Sequence, residues 1–422
     1  MNLCPHTTLL NIANFEQGTP REEIARLRNT GQRLIWQTDE YANGGHWLVL
    51  QRDDIDTVLK TPADFTNNFS PMLEDFPEDI LAVHQESMTF MDPPRHRDYR
   101  GLVDFAFRPR ALKDRAPLIK LLAKEVIDNV IDKGECEFVE EVAMQVPMRT
   151  ILGLLGVKEE DYAYVANIVN VMTLAADPEY AATRDEGFAA SMEAWQYGAK
   201  LAQDHRDNPR DSITMDLVNT EVDGQQLSNE QYAGFFVNLI VGGMETTRNT
   251  TALMVYEFIK HPEQYQKLQS DLSLVPNAVE ETLRHRNTVV YLRRTATHDM
   301  EFAGEAIKKG DKLVCVLGSP NRNEDYFEDP DTFDITRSYT DIRRHYRTFG
   351  AGPHFCIGVH QSRMILEAIT EEIARRMTNL RLLSEPVHFK SNFMDGFKRM
   401  YIAFDKAGES AGAPAASSLQ VG

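Results

Sequence analysis

The chain has 422 residues, 42% hydrophobic and 26% charged, which is ordinary globular usage and excludes disordered and fibrous classes. With 64 acidic against 45 basic residues the formal net charge is −19, a field that repels phosphates and argues against binding to nucleic acid or to an anionic membrane surface. Four cysteines without a CxxC pair exclude a disulfide scaffold, an internal zinc ribbon and a bacterial-type iron–sulfur motif.

Residues 1–30 are polar, with Pro5, Gly18, Pro20 and a charged run from Arg21, so neither a signal peptide nor a membrane anchor is expected, and residues 1–20 read as an N-terminal extension. A first strand is expected at 47–50, after the turn residues Asn43, Gly44 and Gly45. Leu112, Ile119, Leu122, Val126 and Val130 then recur at helical spacing, with Pro117 expected in the first turn. The same period returns at 142–155 and 162–174. Further strands are expected at 291–297 and 312–316, and a helix runs on from Cys356 through Arg363, Leu366, Ile369 and Ile373. Many helices with a few short strands make a mainly α, α+β chain. Residues 407–422, rich in Gly, Ala and Ser, read as a disordered tail. The longest apolar run, 235–244, is too short to span a bilayer, so the expected location is cytoplasmic.

One helix is anomalous. Ser228 and Gln231 form a capping box and Pro262 stops the pattern, which gives roughly thirty residues, far above the usual length. Its centre holds Gly242, Gly243, Thr246, Thr247, Asn249, Thr250 and Thr251, all poor helix formers. Either this is a polar, kinked surface helix, or function excuses the local violation.

Cys356 lies in FGAGPHFCIG, residues 349–358, where two glycines and a proline make an irregular loop before a helix. A thiol at a helix N-terminus is drawn toward the thiolate and can serve as a nucleophile or an axial metal ligand. A small buried hydrophobe, or a zinc site with His345, His354 and His360, are the other readings of these residues.

That segment resembles the haem-binding signature of the cytochrome P-450 superfamily, F-G-x-G-x-H/R-x-C-x-G. The resemblance implies haem b, with Cys356 as the iron ligand, His354 on a propionate, and Phe349, Gly350 and Gly358 shaping the loop. Three more motifs follow the family's order. Glu281 and Arg284 match E-x-x-R, with Arg337 as the third, structural member. Residues 242–247, GGMETT, resemble the stretch over the distal haem face, which implies proton delivery by Thr246 with Glu245 as its acid. Residues 91–100, MDPPRHRDYR, resemble M-D-P-P-x-H-x-x-x-R, in which His96 and Arg100 hold propionates; Arg294 matches a further propionate ligand.

The resemblance covers residues 20–405 and implies a single P-450 domain at 21–406, with haem between the long distal helix and the Cys-loop helix. There are departures: Asn287 and Thr288 stand where a proline usually follows E-x-x-R, and Ile357, Gln361 and Ser362 depart from L-G-x-x-L-A-R. The implied activity is a soluble bacterial-type monooxygenase that uses dioxygen to hydroxylate a C–H bond of a hydrophobic small molecule (terpenoid, steroid, alkyl or aromatic). The chain has no flavin or nicotinamide fingerprint, so electrons are expected from a separate ferredoxin and its reductase, docked at Arg343, Arg344, His345 and Arg347. Substrate-wall candidates by resemblance are Val241, Gly242, Val289, Val290, Phe393 and Met394, with Met72, Phe76 and Met88 beside them. A peroxide-driven peroxygenase and a non-enzymatic haem sensor or carrier are the competing readings, and the Glu245-Thr246 pair speaks against both. Cys4, Cys136 and Cys315 receive no role.

Overall fold

The long helix runs from Asn229 to Lys260, 32 residues and about 48 Å at 1.5 Å per residue. Ser228 Oγ accepts from the Gln231 amide at 3.1 Å, and the Ser228 amide donates to Gln231 Oε1 at 2.9 Å, so the capping box is complete. Most of the helix is buried, including Glu245, Thr247, Arg248, Asn249, Thr250 and Thr251, which removes the surface-helix reading. The hydroxyls of Thr246, Thr250 and Thr251 each donate to the carbonyl four residues back at 2.8 Å, so poor helix formers are satisfied inside the helix itself.

The computed structural model describes residues 8–38, 44–222 and 225–408. Cys4, Asn43 and the tail expected beyond Gly408 lie outside the described residues. Two apolar clusters meet at the long helix. Tyr232, Phe235, Phe236 and Ile240 pack with Ile151, Val169 and Trp195. Ala252, Leu253, Val255 and Phe258 pack with Ile119, Val126, Leu366 and Ile369. The glycine- and threonine-rich centre falls between them. Leu9, Leu10 and Phe15, within the stretch expected as an extension, are buried with Leu48, Tyr291 and Val314.

The helix expected from Leu112 spans Pro109–Ile131, and Pro117 lies in its interior, not in its first turn. Pro109 takes the first position instead, where its missing N–H costs nothing. The predicted strands form at His46–Val49, Tyr291–Ala296 and Lys312–Val316. They sit in a five-stranded sheet ordered Leu34–Gln37, His46–Val49, Lys312–Val316, Tyr291–Ala296, Phe65–Thr66. Only His46–Val49 and Lys312–Val316 pair in parallel there. The described residues form one domain, helix-rich with small sheets.

Candidate active site

A cavity of about 300 Å³ lies between the centre of the long helix and the segment around Cys356. Gly242, Gly243, Thr246 and Thr250 line one wall, and Phe349, Gly350, His354, Cys356 and Gly358 the facing one. Gly242 meets nothing within 4 Å of where a Cβ would stand, so this turn opens onto free space. Thr247 Oγ1 and Ser362 Oγ, 3.2 Å apart, join the long helix to the helix Val359–Arg376. That contact explains the serine, an expected alanine in the signature.

The Cys356 loop is held from both ends. Its amide donates to Phe349 O at 3.1 Å. Gly352 has φ +70°, and a Cβ there would stand 2.3 Å from Leu59 O, so only glycine lets the loop lie on its neighbour. Cys356 precedes Val359–Arg376 by three residues. Burial pushes its thiol up, and the Gly358 amide, Arg100 and Arg363 pull the other way without winning. The thiolate expected from the helix end therefore needs a further positive partner.

Cations converge on one side of the cavity. Arg294 is buried, donates to Arg293 O at 2.8 Å, and burial lowers its pKa to about 10. Arg100 donates to Pro353 O at 3.2 Å. Among the described residues neither guanidinium has a carboxylate within salt-bridge distance. The His96 and His354 rings lie 3.9 Å apart; burial lowers the pKa of His96 to about 4 and holds His354 well below its usual range. His354 Nε2 is buried without a partner. Two unpaired guanidiniums and an orphaned imidazole nitrogen fit a group that brings its own carboxylates, as haem does, with Cys356 at hand for the iron.

The other predicted residues divide. Glu281 and Arg284 form a fully buried, two-pronged pair at 2.7 Å, and Arg337 reaches Glu281 at 3.4 Å. Glu245 is buried but does not line the cavity: one oxygen is bonded to Arg248, the other has no partner, and burial raises its pKa. Thr246 and Thr247 both line the cavity, whereas Glu245, one position earlier, is turned to Arg248 inside the protein. Of the substrate-wall candidates, Gly242, Val289 and Met88 line it, whereas Val241, Val290, Phe393, Met394, Met72 and Phe76 do not. Val290 turns to the opposite side from Val289 and packs with Tyr291 and Phe393; Met394 packs with Leu174 and Phe389. Asn67, Thr89, Asn238 and Thr288 also line the cavity and were not anticipated. The legible signal for one was an asparagine inside the apolar run 235–244.

Of the basic cluster, Arg343 pairs with buried Glu280, Arg347 with Asp56, and His345 Nδ1 lies 2.9 Å from Arg52. Exposed Arg344 has no such partner among the described residues.

The family model for cytochrome P450 matches residues 45–378. The chain belongs to the cytochrome P450 family. The chain is 34% identical to a methyl-branched lipid omega-hydroxylase of Mycobacterium tuberculosis over 394 residues, 90% of each chain. A steroid C26-monooxygenase of the same species is 30% identical over 417 residues, covering 96% of this chain and 94% of that one. Among solved structures, a Mycobacterium marinum cytochrome P450 in complex with pseudoionone superposes with a TM-score of 0.86 at 32% identity, over 96% of this chain and 100% of its own. As a P450 with relatives named hydroxylase and monooxygenase, this chain is a monooxygenase enzyme. No helix among the described residues is long and apolar enough to cross a membrane.

Proposed function

We propose that this P450 hydroxylates an unactivated C–H bond near one end of a lipid- or steroid-like molecule, using dioxygen and electrons from a separate ferredoxin and reductase in the cytoplasm. The observation that carries the reading is the cavity in which Cys356 faces Thr246 beside cations that lack acidic partners. Haem, when bound, supplies the iron that activates dioxygen and accepts the electrons one at a time.

Arg100, Arg294, His96 and His354 would hold the propionates, and Cys356 the iron. The apolar wall, with Met88, Phe107, Leu239, Val289 and Leu292, takes up an apolar substrate and excludes water. Thr246 Oγ1, turned to Gly242 O at rest, is the cavity's proton-bearing hydroxyl on the long helix nearest the paired glycines. Glu245, buried next to Thr246 in the chain and paired with Arg248, is the acid that would feed protons to that hydroxyl. Exposed Arg344 is the basic contact left for an acidic electron donor. The names of the omega-hydroxylase and the C26-monooxygenase support oxidation at the end of a long apolar skeleton.

The test is spectroscopic. The reduced protein under carbon monoxide is expected to show the red-shifted Soret band of thiolate-ligated haem, and Cys356→His to lose it. A histidine-type band in the unmutated protein would overturn the reading. Fatty-acid and steroid panels scored by low-to-high-spin shift, followed by product analysis with a ferredoxin system, test the substrate class. Oxidation in mid-skeleton alone counts against the terminal site.

A further inference from the structure

The cavity wall carries polar groups that neither the cofactor nor proton delivery uses. Thr250 and Thr288 satisfy each other at 2.9 Å, and Thr246 is turned to its own helix. Two groups of polar atoms are left: Gln361, whose buried Oε1 has no partner, on the helix Val359–Arg376, and a cluster of Asn67, Thr89 and Asn238. Asn238 is the asparagine that interrupts the apolar run of the long helix. Its Oδ1 accepts from Ser87 Oγ at 2.9 Å and from Thr89 Oγ1, while its Nδ2 donates to Gly234 O at 2.9 Å. A carboxamide has two N–H bonds, so one remains unused at a residue that lines the cavity. Beside it Asn67, 2% exposed, donates to Thr89 O and keeps a buried Oδ1 with no partner.

The cluster is fixed by backbone contact. A Cβ on Gly234 would stand 2.8 Å from Glu86 O and 3.3 Å from the Ser87 Cα. Glycine therefore lets the segment carrying Ser87 and Thr89 lie directly against the long helix. Two hydroxyls and one carbonyl then set the plane of a single carboxamide. Asn238 stands eight residues before Thr246, about 12 Å of helix rise.

We propose that Asn238, oriented by Ser87 and Thr89, is an anchor for a carbonyl or hydroxyl oxygen of the substrate. The enzyme then selects amphipathic molecules with an oxygen at one end and the oxidised C–H bond roughly one helix-rise of 12 Å away. A pure hydrocarbon that fills the cavity strips water from the Asn238 N–H and returns no acceptor, whereas an oxygenated one does. The position of oxidation rests on the monooxygenase reading above; the anchor rests only on the cavity wall.

Calorimetric titration of the purified protein with 2-decanone and with decane reads the anchor without using the haem spectrum. The unmutated protein is expected to favour the ketone about tenfold, the effect of one buried hydrogen bond. Asn238→Leu should bring the two affinities together by weakening the ketone alone. Asn238→Asp, of the same shape but without the N–H, should do the same and covers the case in which the leucine variant fails to fold. Thr89→Val, which frees the carboxamide to rotate, should reduce the preference in part. Equal affinities in the unmutated protein, or a ratio unchanged in Asn238→Asp, overturn the anchor. The carbon monoxide spectrum is scored separately: a thiolate band with no ketone preference removes the anchor alone, and a ketone preference without that band removes the haem-thiolate reading alone.

Discussion

Arg284→Leu is the substitution with the largest consequence that the structure lets one work out. The side chain is 1% exposed and makes five hydrogen bonds. Two go to Glu281 at 2.7 Å, and three to the carbonyls of Asn321, Pro330 and Thr332 at 2.9, 2.7 and 3.1 Å. Leucine leaves the Glu281 carboxylate fully buried with only the Asp334 amide at 2.9 Å and Arg337 at 3.4 Å. Breaking a buried pair from one side costs about 3–5 kcal/mol. The Asn321 and Pro330 carbonyls lose this guanidinium bond, at about 1 kcal/mol each, while Thr332 O keeps a weak contact to Arg337. The sum, about 5–7 kcal/mol, rivals the whole stability of a typical domain, about 5–15 kcal/mol. Arg284→Leu is therefore expected to give little soluble protein. Arg284→Lys keeps the charge but loses the planar fork, and should fold with a loss of about 2–3 kcal/mol in guanidinium unfolding followed by circular dichroism. Adding Glu281→Gln to Arg284→Leu removes the stranded charge and should recover stability, so the double variant is more stable than the single one. Arg284→Leu within about 1 kcal/mol of the parent, or a double variant less stable than the single, would refute the reasoning.

Gly352→Ala combines a left-handed φ of +70° with a Cβ placed 2.3 Å from Leu59 O, and is expected to cost at least about 2 kcal/mol and to lower haem content on purification; an unchanged melting temperature and Soret absorbance would contradict it. Thr246→Ala should still bind haem, while product formed per electron falls about tenfold or more as peroxide rises; an unchanged ratio would take Thr246 out of proton delivery. His84 is packed among Phe76, Phe90 and Trp195, with Ser191 Oγ at 3.0 Å, and burial lowers its pKa from 6.5 to about 4. Between those values the unfolded chain binds a proton that the folded chain does not. Its contribution is intact above pH 6.5 and declines as pH falls, by up to about 3 kcal/mol near pH 4. Unfolding curves for the parent and His84→Phe at pH 7.5, 5.5 and 4.5 should differ in slope with pH, and equal slopes would sink the assignment.

Much of the architecture was legible in the chain because the signals were local. The capping box at Ser228 and the stop at Pro262 marked the long helix within a residue at each end, since both act through neighbouring backbone groups. The loop 349–358 carried its own chemistry: glycines needed for close approach, then a thiol. Pro117 shows the limit of local reading. Its position before the apolar run suits a helix start, but Pro109 fills that role, and the helix that begins there carries Leu112 and Pro117 in its interior.

Which side chains face the cavity was decided by the tertiary structure. Glu245 and Thr246 are adjacent in the chain, yet one is closed off by Arg248 and the other opens onto the cavity, because a helix turns 100° per residue and packing chooses which turn faces inward. Val289 and Val290 part company in the same way at the start of a strand. Arg343 and Arg347 carry charge in any sequence reading, but Glu280 and Asp56, distant in sequence, spend that charge inside the molecule. Asn238 became an oriented donor only when residue 234, lacking a side chain, let a segment some 150 positions earlier lie against it. Sequence by itself determined the chemistry, because a thiol, a glycine loop and a capping box act over a few residues. The fold alone determined access, since which groups meet the cavity depends on contacts between segments that the chain order keeps far apart.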